Sequence, residues 1–383
     1  MANIDSSQTA LTVMQVLPEL DGGGVERGTL EISKALVARG HRSLVVSAGG
    51  RLVEQLTGQG GQHLTLDLSR KSPLTLLKTS KLRRLMTEQQ VDLVHVRSRM
   101  PAWVTLSAWK SMPPAARPRL LTTVHGLNSV NFYSKVMTYG ERVIAVSHCC
   151  RDYVLSNYPD TDPDKVIVVH RGVDSAQFPF GHQPPESWRN TWHAEFPQLS
   201  DQFVVLLPGR LTRFKGHFDF LQVIRQLIQR ELPVHGLIVG GEDPRRQAYA
   251  QSLYEEVENL QLAERVTFTG HRSDIREVMC VADAVVSTSI QPPESFGRTV
   301  LEAVRLGRPT IGYAHGGVGE VLSTVYPAGK VPLQDTAAMA EKLTQVYRGE
   351  LSPPEPTEEF ELSRMVEKEI DLYEAMVREG DRD

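Results

Sequence analysis

The chain has 383 residues, 40% of them hydrophobic and 23% charged, an ordinary globular composition with length for two domains. No apolar run reaches the roughly 20 residues that cross a bilayer, and no basic stretch leads into an apolar core at the N-terminus, so a soluble cytosolic protein is expected. The net charge of -4 is unevenly spread: through Asp174 there are 21 basic and 15 acidic residues, and beyond it 21 and 31, which suits the first half to an anionic partner such as a membrane surface or phosphorylated acceptor.

Short apolar runs alternate with longer helical patterns, the signature of parallel sheets covered by helices. In the first half, strands are expected at 11–17, 43–47, 63–66, 93–96, 120–124, 143–146 and 166–169, with helices between them, for example 25–39 and 74–89. These runs are continuously apolar, as strands buried on both faces must be. The segment Pro179-Phe180-Gly181-His182-Gln183-Pro184-Pro185 can extend neither a helix nor a central strand, so 179–200 is expected as a linker. Strands follow at 203–207, 234–239, 266–269, 284–288 and 309–312, and a second Pro-rich break at 352–356 precedes a last helix from about 360 to 378. The expected architecture is α/β: two doubly wound domains, 1–178 and 201–355, with segment 360–383 packing back on the first.

After the first strand comes Asp21-Gly22-Gly23-Gly24-Val25-Glu26. Its glycines either let a backbone approach a ligand before a helix starts or serve a turn that needs positive φ. It matches neither the dinucleotide fingerprint nor a phosphate-binding loop ending in Gly-Lys-Ser/Thr, so dehydrogenase and NTPase readings lose support. In residues 70–90, Lys78, Lys81, Arg83 and Arg84 accompany Leu77, Leu82, Leu85 and Met86, preceded by Arg70 and Lys71. That pattern fits peripheral attachment to an anionic membrane, or the solvated face of an ordinary helix. His125, after Thr122-Thr123-Val124 at a strand's end, is a candidate contact to a sugar hydroxyl, or a structural histidine. The run Asp160-Thr161-Asp162-Pro163-Asp164 resembles a carboxylate metal site, but its prolines make it a capping and turn segment. Cys149, Cys150 and Cys280 have neither disulfide nor zinc spacing. No basic stripe interleaved with aromatics supports nucleic-acid binding.

Two constellations in the second half carry the most chemistry. In Pro208-Gly209-Arg210-Leu211-Thr212-Arg213-Phe214-Lys215-Gly216-His217, after a buried strand, Arg210 and Lys215 stand where a diphosphate can be neutralised, unless the loop is simply solvated. In Glu294-Ser295-Phe296-Gly297-Arg298-Thr299-Val300-Leu301-Glu302, two carboxylates flank the start of a helix. Backbone N–H groups at a helix start receive phosphate oxygens, and the carboxylates accept hydrogen bonds from sugar and ribose hydroxyls. Paired carboxylates also admit an acid/base or nucleophile role, which ranks lower because a hydroxyl-binding carboxylate needs no raised pKa.

In order along the chain, Gly22-Gly23-Gly24-Val25-Glu26, His125-Gly126, Arg171-Gly172-Val173-Asp174, Gly209-Arg210 with Lys215-Gly216, Val239-Gly240-Gly241, Phe268-Thr269-Gly270 and the Glu294–Glu302 segment resemble the GT-B-fold retaining glycosyltransferases of family 4, of the lipopolysaccharide-core type. The resemblance implies that Arg210 and Lys215 bind the donor diphosphate, Glu294 the transferred sugar and Glu302 the ribose. It puts Phe296, Gly297, Arg298 and Thr299 along sugar and phosphate, Gly270, His271 and Arg272 near the nucleobase, His125 beside the donor sugar, and Gly23 and Gly24 near phosphate and acceptor. His125, Glu294, Arg210 and Lys215 are the implied catalytic set. No metal or other cofactor is implied. The implied partners are a nucleotide-sugar donor, with UDP-sugars commonest, and an anionic glycan or glycolipid acceptor at the inner face of the cytoplasmic membrane. The turn His170-Arg171-Gly172-Val173-Asp174 departs from the pattern, because many members have Asn before the Gly. Two alternatives share the architecture: a sugar-nucleotide 2-epimerase and a non-catalytic partner subunit.

Overall fold

The computed structural model describes residues 10–243 and 246–380. The chain divides into two compact units, residues 1–170 with 363–383, and residues 171–362.

The first unit is a seven-stranded sheet: β1 Thr12–Val16, β2 Arg42–Ser47, β3 Gln62–Thr65, β4 Leu93–Val96, β5 Arg119–Val124, β6 Arg142–Ala145 and β7 Val166–Val168. The order is β3-β2-β1-β4-β5-β6-β7, with every pair parallel. Helices α1 Gly24–Ala38, α2 Val53–Gly58, α3 Thr79–Glu88, α4 Arg99–Lys110, α5 Phe132–Lys135 and α6 His148–Asn157 connect the strands. The second unit holds β8 Phe203–Pro208, β9 Val234–Val239, β10 Val266–Phe268, β11 Ala284–Ser287, β12 Thr310–Tyr313 and β13 Lys330–Val331. Their order is β10-β9-β8-β11-β12-β13, again all parallel. Its helices are α7 Glu186–Glu195, α8 His217–Gln229, α9 Gln247–Asn259, α10 Ile275–Val281, α11 Arg298–Arg305, α12 Gly316–Val325 and α13 Thr336–Tyr347. The last helix, α14 Leu362–Gly380, lies almost wholly in the first unit.

Strand β8 shows why these runs are apolar throughout. Phe203, Val205 and Leu207 pack against Phe220, Ile224 and Leu227 of α8, Leu253 of α9 and Leu343 of α13. The alternate residues Val204 and Leu206 pack against Trp192 of α7, Val278 and Met279 of α10 and Ala303 of α11. Both pleat faces are buried, so no position can be polar without a partner. Each such aliphatic side chain contributes roughly 1.5–3 kcal/mol.

Three local expectations differ from the structure. Segment 179–200 is not a bare linker: α7 forms within it, and Trp192 and Phe196 are buried in the second unit's core. Segment 74–89 is not one helix. Residues Pro73–Lys78 form a 3-10 turn before α3, because Ser72 Oγ accepts from Leu74 N and Thr75 Oγ1 donates to the Arg70 carbonyl. Strand β13, two residues long, is too short to leave an apolar run in the sequence.

α14 is bonded into the first sheet by buried polar groups. Arg97, directly after β4, donates Nε to Gln15 Oε1 at 2.9 Å and Nη2 to Glu369 of α14. Tyr373 of α14 donates to Glu369 at 2.6 Å and meets His95 Nδ1 at 2.7 Å, and His95 Nε2 meets Thr123 Oγ1 at 2.6 Å. Gln15, His95, Arg97 and Glu369 are all buried.

Candidate functional site

The strand orders place a switch point in each unit, between β1 and β4 and between β8 and β11, where neighbouring connections depart to opposite sides. Ligands of doubly wound sheets bind at the carboxyl ends of such strands. In the second unit the two loops there are 209–216 after β8 and 288–297 after β11, the two constellations singled out by sequence. Adjacency of β8 and β11, in register at Ala284 with Val205, is why residues 79 positions apart meet.

They meet through one ion pair. Lys215 Nζ lies 2.6 Å from Glu294 Oε1, which also accepts from Ser289 Oγ at 2.7 Å. Both charged side chains are largely buried, at 16% and 15% exposure. Burial works to raise the Glu294 pKa; the Lys215 charge and the hydrogen bonds from Lys215 and Ser289 outweigh it and hold the carboxyl below its ordinary value. Glu294 is therefore a carboxylate, able to accept from hydroxyls and unsuited to donate a proton. Arg210, on the same loop, is exposed and in no ion pair among the described residues.

The loop backbones are fitted to each other. Thr288 Oγ1 donates to the Lys215 carbonyl at 2.9 Å and Ile290 N donates to the Phe214 carbonyl at 2.8 Å. Gly216 caps α8 with φ +69°, and a Cβ there would stand 1.8 Å from the Thr288 oxygen. Behind Lys215, His217 is fully buried, its Nδ1 3.2 Å from the Tyr249 hydroxyl; burial and then the Lys215 charge push its pKa down to about 4. The imidazole is neutral near pH 7.

Two helix starts converge on the Glu294 loop. Gly297, φ +89°, caps α11, and Gly316 opens α12; neither helix has a side-chain cap, and first-turn N–H groups not taken by a backbone carbonyl can serve as donors for an anion. Gly317 N donates to the Glu294 carbonyl at 2.7 Å, and a Cβ on Gly317 would lie 2.3 Å from Phe296 Cα. The Phe296 ring is buried against Phe360, so only its backbone borders the loop surface. Arg298 Nε pairs with Glu302 Oε1 at 3.0 Å, and Glu302 is buried on the second turn of α11. Thr299 is half-buried in the first turn.

The loop after β10 is arranged differently from its sequence reading. Gly270 has φ +71° and His271 is exposed. Arg272 is occupied by protein: it forks onto Asp274 at 2.8 and 2.7 Å, reaches both oxygens of Glu195 at 3.0 Å, and lies over the Trp192 ring at 5.2 Å. The Arg272 hydrogen bond, with help from Trp188 and against burial, holds Asp274 at about 2. The guanidinium ties this loop to α7.

In the first unit, Gly23 and Gly24 are exposed at the start of α1, and His125 is half-buried just past β5. Gly23 has φ −86°, and a Cβ on Gly24 would meet nothing within 4 Å. The Gly172 turn is explained by its own unit: its Cβ would lie 2.6 Å from Leu362 Cα, where Val173 N bonds the Phe360 carbonyl at 3.0 Å. Asp162 caps the turn Pro163–Lys165 and Asp160 pairs with Lys135 at 2.9 Å, so this run is a capping segment. All three cysteines are unbridged. Ser289, the group that completes the Glu294 environment, was missed by sequence reasoning; its only signal was a place in Ser287-Thr288-Ser289 at the end of β11.

Comparison with known proteins places this geometry in a lineage. The Glycosyltransferase Family 4 model matches residues 22–177 and the Glycosyl transferases group 1 model residues 189–360. The N-acetyl-alpha-D-glucosaminyl L-malate synthase of Bacillus anthracis is 22% identical, over 94% of this chain and 96% of its own length. A glycosyltransferase crystal structure from Rickettsia africae superposes with a TM-score of 0.78 at 27% identity, covering 97% of this chain and 99% of that one. Anabaena HepE, solved with UDP and glucose, gives 0.74 at 20% identity over 94% and 99%. With one model on each unit and GT-B neighbours along nearly its whole length, the chain belongs to the family 4 glycosyltransferases of the GT-B fold.

Proposed function

We propose that this glycosyltransferase moves a hexose-type sugar from a UDP-sugar to a cell-envelope glycan or glycolipid such as lipopolysaccharide core, with retention at the anomeric carbon and without a metal. The carrying observation is the buried Lys215–Glu294–Ser289 cluster with exposed Arg210 on the same loop. Arg210 and Lys215 supply fixed positive charge for a departing diphosphate, the charge a metal would otherwise bring. Glu294, held ionised, takes hydroxyls of the transferred sugar, and Glu302 those of the ribose. N–H groups at the starts of α11 and α12 receive phosphate oxygens. The acceptor hydroxyl attacks on the face from which the diphosphate leaves: the anomeric carbon–phosphate oxygen bond breaks, the new glycosidic bond forms, and the hydroxyl proton passes to the leaving phosphate. Engagement of Glu294 Oε1 by Lys215 and Ser289 favours this course over a covalent glycosyl-enzyme.

A UDP donor is favoured by the UDP and glucose bound to Anabaena HepE. The anionic acceptor rests on the basic first half of the chain, and the cytoplasmic membrane face is where such an acceptor would be met. The test is turnover of Glu294→Ala and Lys215→Ala, each expected to fall about 100- to 1,000-fold with folding retained. Unchanged turnover in both would sink the site assignment. Thermal stabilisation by UDP but not by GDP or ADP, about 2.7 kcal/mol at a hundredfold excess over Kd, identifies the nucleotide. An epimerised nucleotide sugar formed from donor alone would instead mark a 2-epimerase.

A further inference from the structure

Among the described residues the second unit buries two histidines, and their surroundings differ. His235 of β9 has its Nε2 2.9 Å from Thr267 Oγ1, just across the sheet on β10. His217, the first residue of α8, is fully buried, and its Nδ1 lies 3.2 Å from the Tyr249 hydroxyl of α9. The His217 Nε2 is out of contact with water and makes no hydrogen bond of ordinary geometry among the described residues. A buried polar atom in that condition is rare in a folded chain.

The imidazole stands beneath the loop that bears Arg210 and Lys215. The backbone of Gly209 and of Thr212 favours its protonated form, as carbonyl oxygens facing the ring do and N–H groups cannot. Gly209 opens the loop and Thr212 lies midway along it. On its other side the Gly209 oxygen is close to Gly240, where a Cβ would come within 1.9 Å of it. The Lys215 stem crosses Gly209, where a Cβ would stand 3.0 Å from Lys215 Cε, and the Thr212 carbonyl accepts from Lys215 N at 3.0 Å. Tyr249 faces Nδ1 and can donate its hydroxyl proton there, which assigns the proton of the neutral ring to Nε2, the nitrogen left for the carbonyls. A buried N–H without a bond favours any loop position that closes a carbonyl onto it.

We infer that His217 is a positioning residue for the loop 209–216: its Nε2–H holds the Gly209 and Thr212 carbonyls and, through them, sets Arg210 and Lys215 at the spacing a nucleoside diphosphate requires. The inference rests on the reading of that loop as the diphosphate site. It gives the histidine no contact with donor or acceptor. The two buried histidines then differ in kind: His235 fastens β9 to β10, and His217 aims a binding loop.

The experiment is calorimetric titration of the full chain with UDP and with uridine, the ratio of the two affinities measuring what the diphosphate adds. His217→Asn keeps a polar group at the Nδ1 position and has none at Nε2. The ratio should fall about tenfold, the worth of one buried hydrogen bond, with uridine binding unchanged. His217→Gln reaches the Nε2 position with an amide N–H and should bring the ratio back to within about threefold of the parent. His235→Asn, at the other buried histidine, should lower the melting temperature and leave the ratio unchanged. Nitrogen NMR of the histidine-labelled parent, with the His217 signal identified by its loss in whichever His217 variant folds, should find the proton on Nε2. A ratio unchanged in His217→Asn, a loss shared equally by uridine, an equal loss in His235→Asn, no recovery in His217→Gln, or a proton on Nδ1 overturns the inference. A parent that binds UDP no better than uridine overturns the diphosphate reading and the inference with it. Parental UDP binding by His217→Asn overturns the inference alone.

Discussion

The two switch points hold the same kinds of residue in opposite arrangements. In the second unit, polar groups and glycines lie in the loops and are fitted to each other: Lys215 to Glu294, Gly216 under Thr288, Gly317 under Phe296. In the first, the polar groups lie below the loops, in the buried chain Gln15–Arg97–Glu369, while Gly24 above has open space around it. A glycine enforced by its own neighbours reports on folding, whereas one the fold does not need points to something outside the chain. The contrast predicts that equivalent substitutions at the two places will separate stability from turnover.

The largest effect is expected inside the first unit. Glu369→Ala leaves Arg97 buried without its anionic partner, at a cost of about 3–5 kcal/mol. Hydrogen exchange resolved by peptide should show the loss in β1, β4 and α14. A change below about 1 kcal/mol would mean that water reaches Arg97 and that the network is not what holds α14 to the sheet.

Gly216→Ala comes next. It forces a left-handed φ on alanine and drives a Cβ to within 1.8 Å of the Thr288 oxygen. Left-handed strain of roughly 1–2 kcal/mol and overpacking of roughly 1–3 kcal/mol combine to about 2–5 kcal/mol, read as a fall in the urea midpoint. Nucleotide binding should fall with it, since Lys215 is the preceding residue. Full stability would show that the two loops move independently.

Acid tests the ion pair by the sign of a response. His217 titrates near 4 when folded and near 6.5 when unfolded, so as pH falls below 6.5 the unfolded state takes the proton and up to about 3 kcal/mol is lost by pH 4. Glu294, with its folded pKa depressed, contributes stability that is full above its ordinary 4.5 and is lost as pH falls through the folded value. Lys215→Met reverses the second contribution. Burial then dominates, the Glu294 pKa rises, and acidification stabilises this site relative to the parent. Urea titrations of the two proteins between pH 3.5 and 6 should diverge, and parallel curves would show that the ion pair does not control Glu294.

The framework was legible in the sequence because most buried parallel strands are largely apolar runs between helical patterns; the two-residue β13 left no such run. Lys215 and Glu294 were legible as residues after strand ends, but their pairing depends on β8 and β11 being neighbours, a property of topology rather than of either segment. The partners of Arg272 were not legible, because local spacing does not reveal that Glu195, 77 positions away, arrives with α7 to pair with it. The Gln15–Arg97–Glu369 chain was invisible for the same reason: each member is a lone polar residue among apolar ones until α14 meets the first sheet.

The smallest expected change in stability is the most telling for the comparison. Gly24 stands at the first position of α1, outside the left-handed region, and a Cβ there would touch nothing within 4 Å. Gly24→Ala should therefore stabilise the fold by about 0.5 kcal/mol, since alanine has less freedom to lose from the unfolded chain. If the glycine makes room for a phosphate or an acceptor, the same methyl group should lower turnover with saturating donor while the first unit melts slightly higher. Stability and activity would then move in opposite directions at one residue, which no packing role can produce. An alanine variant with undiminished turnover would show Gly24 to be incidental, leaving the working residues of that loop to be sought at Asp21 or Glu26.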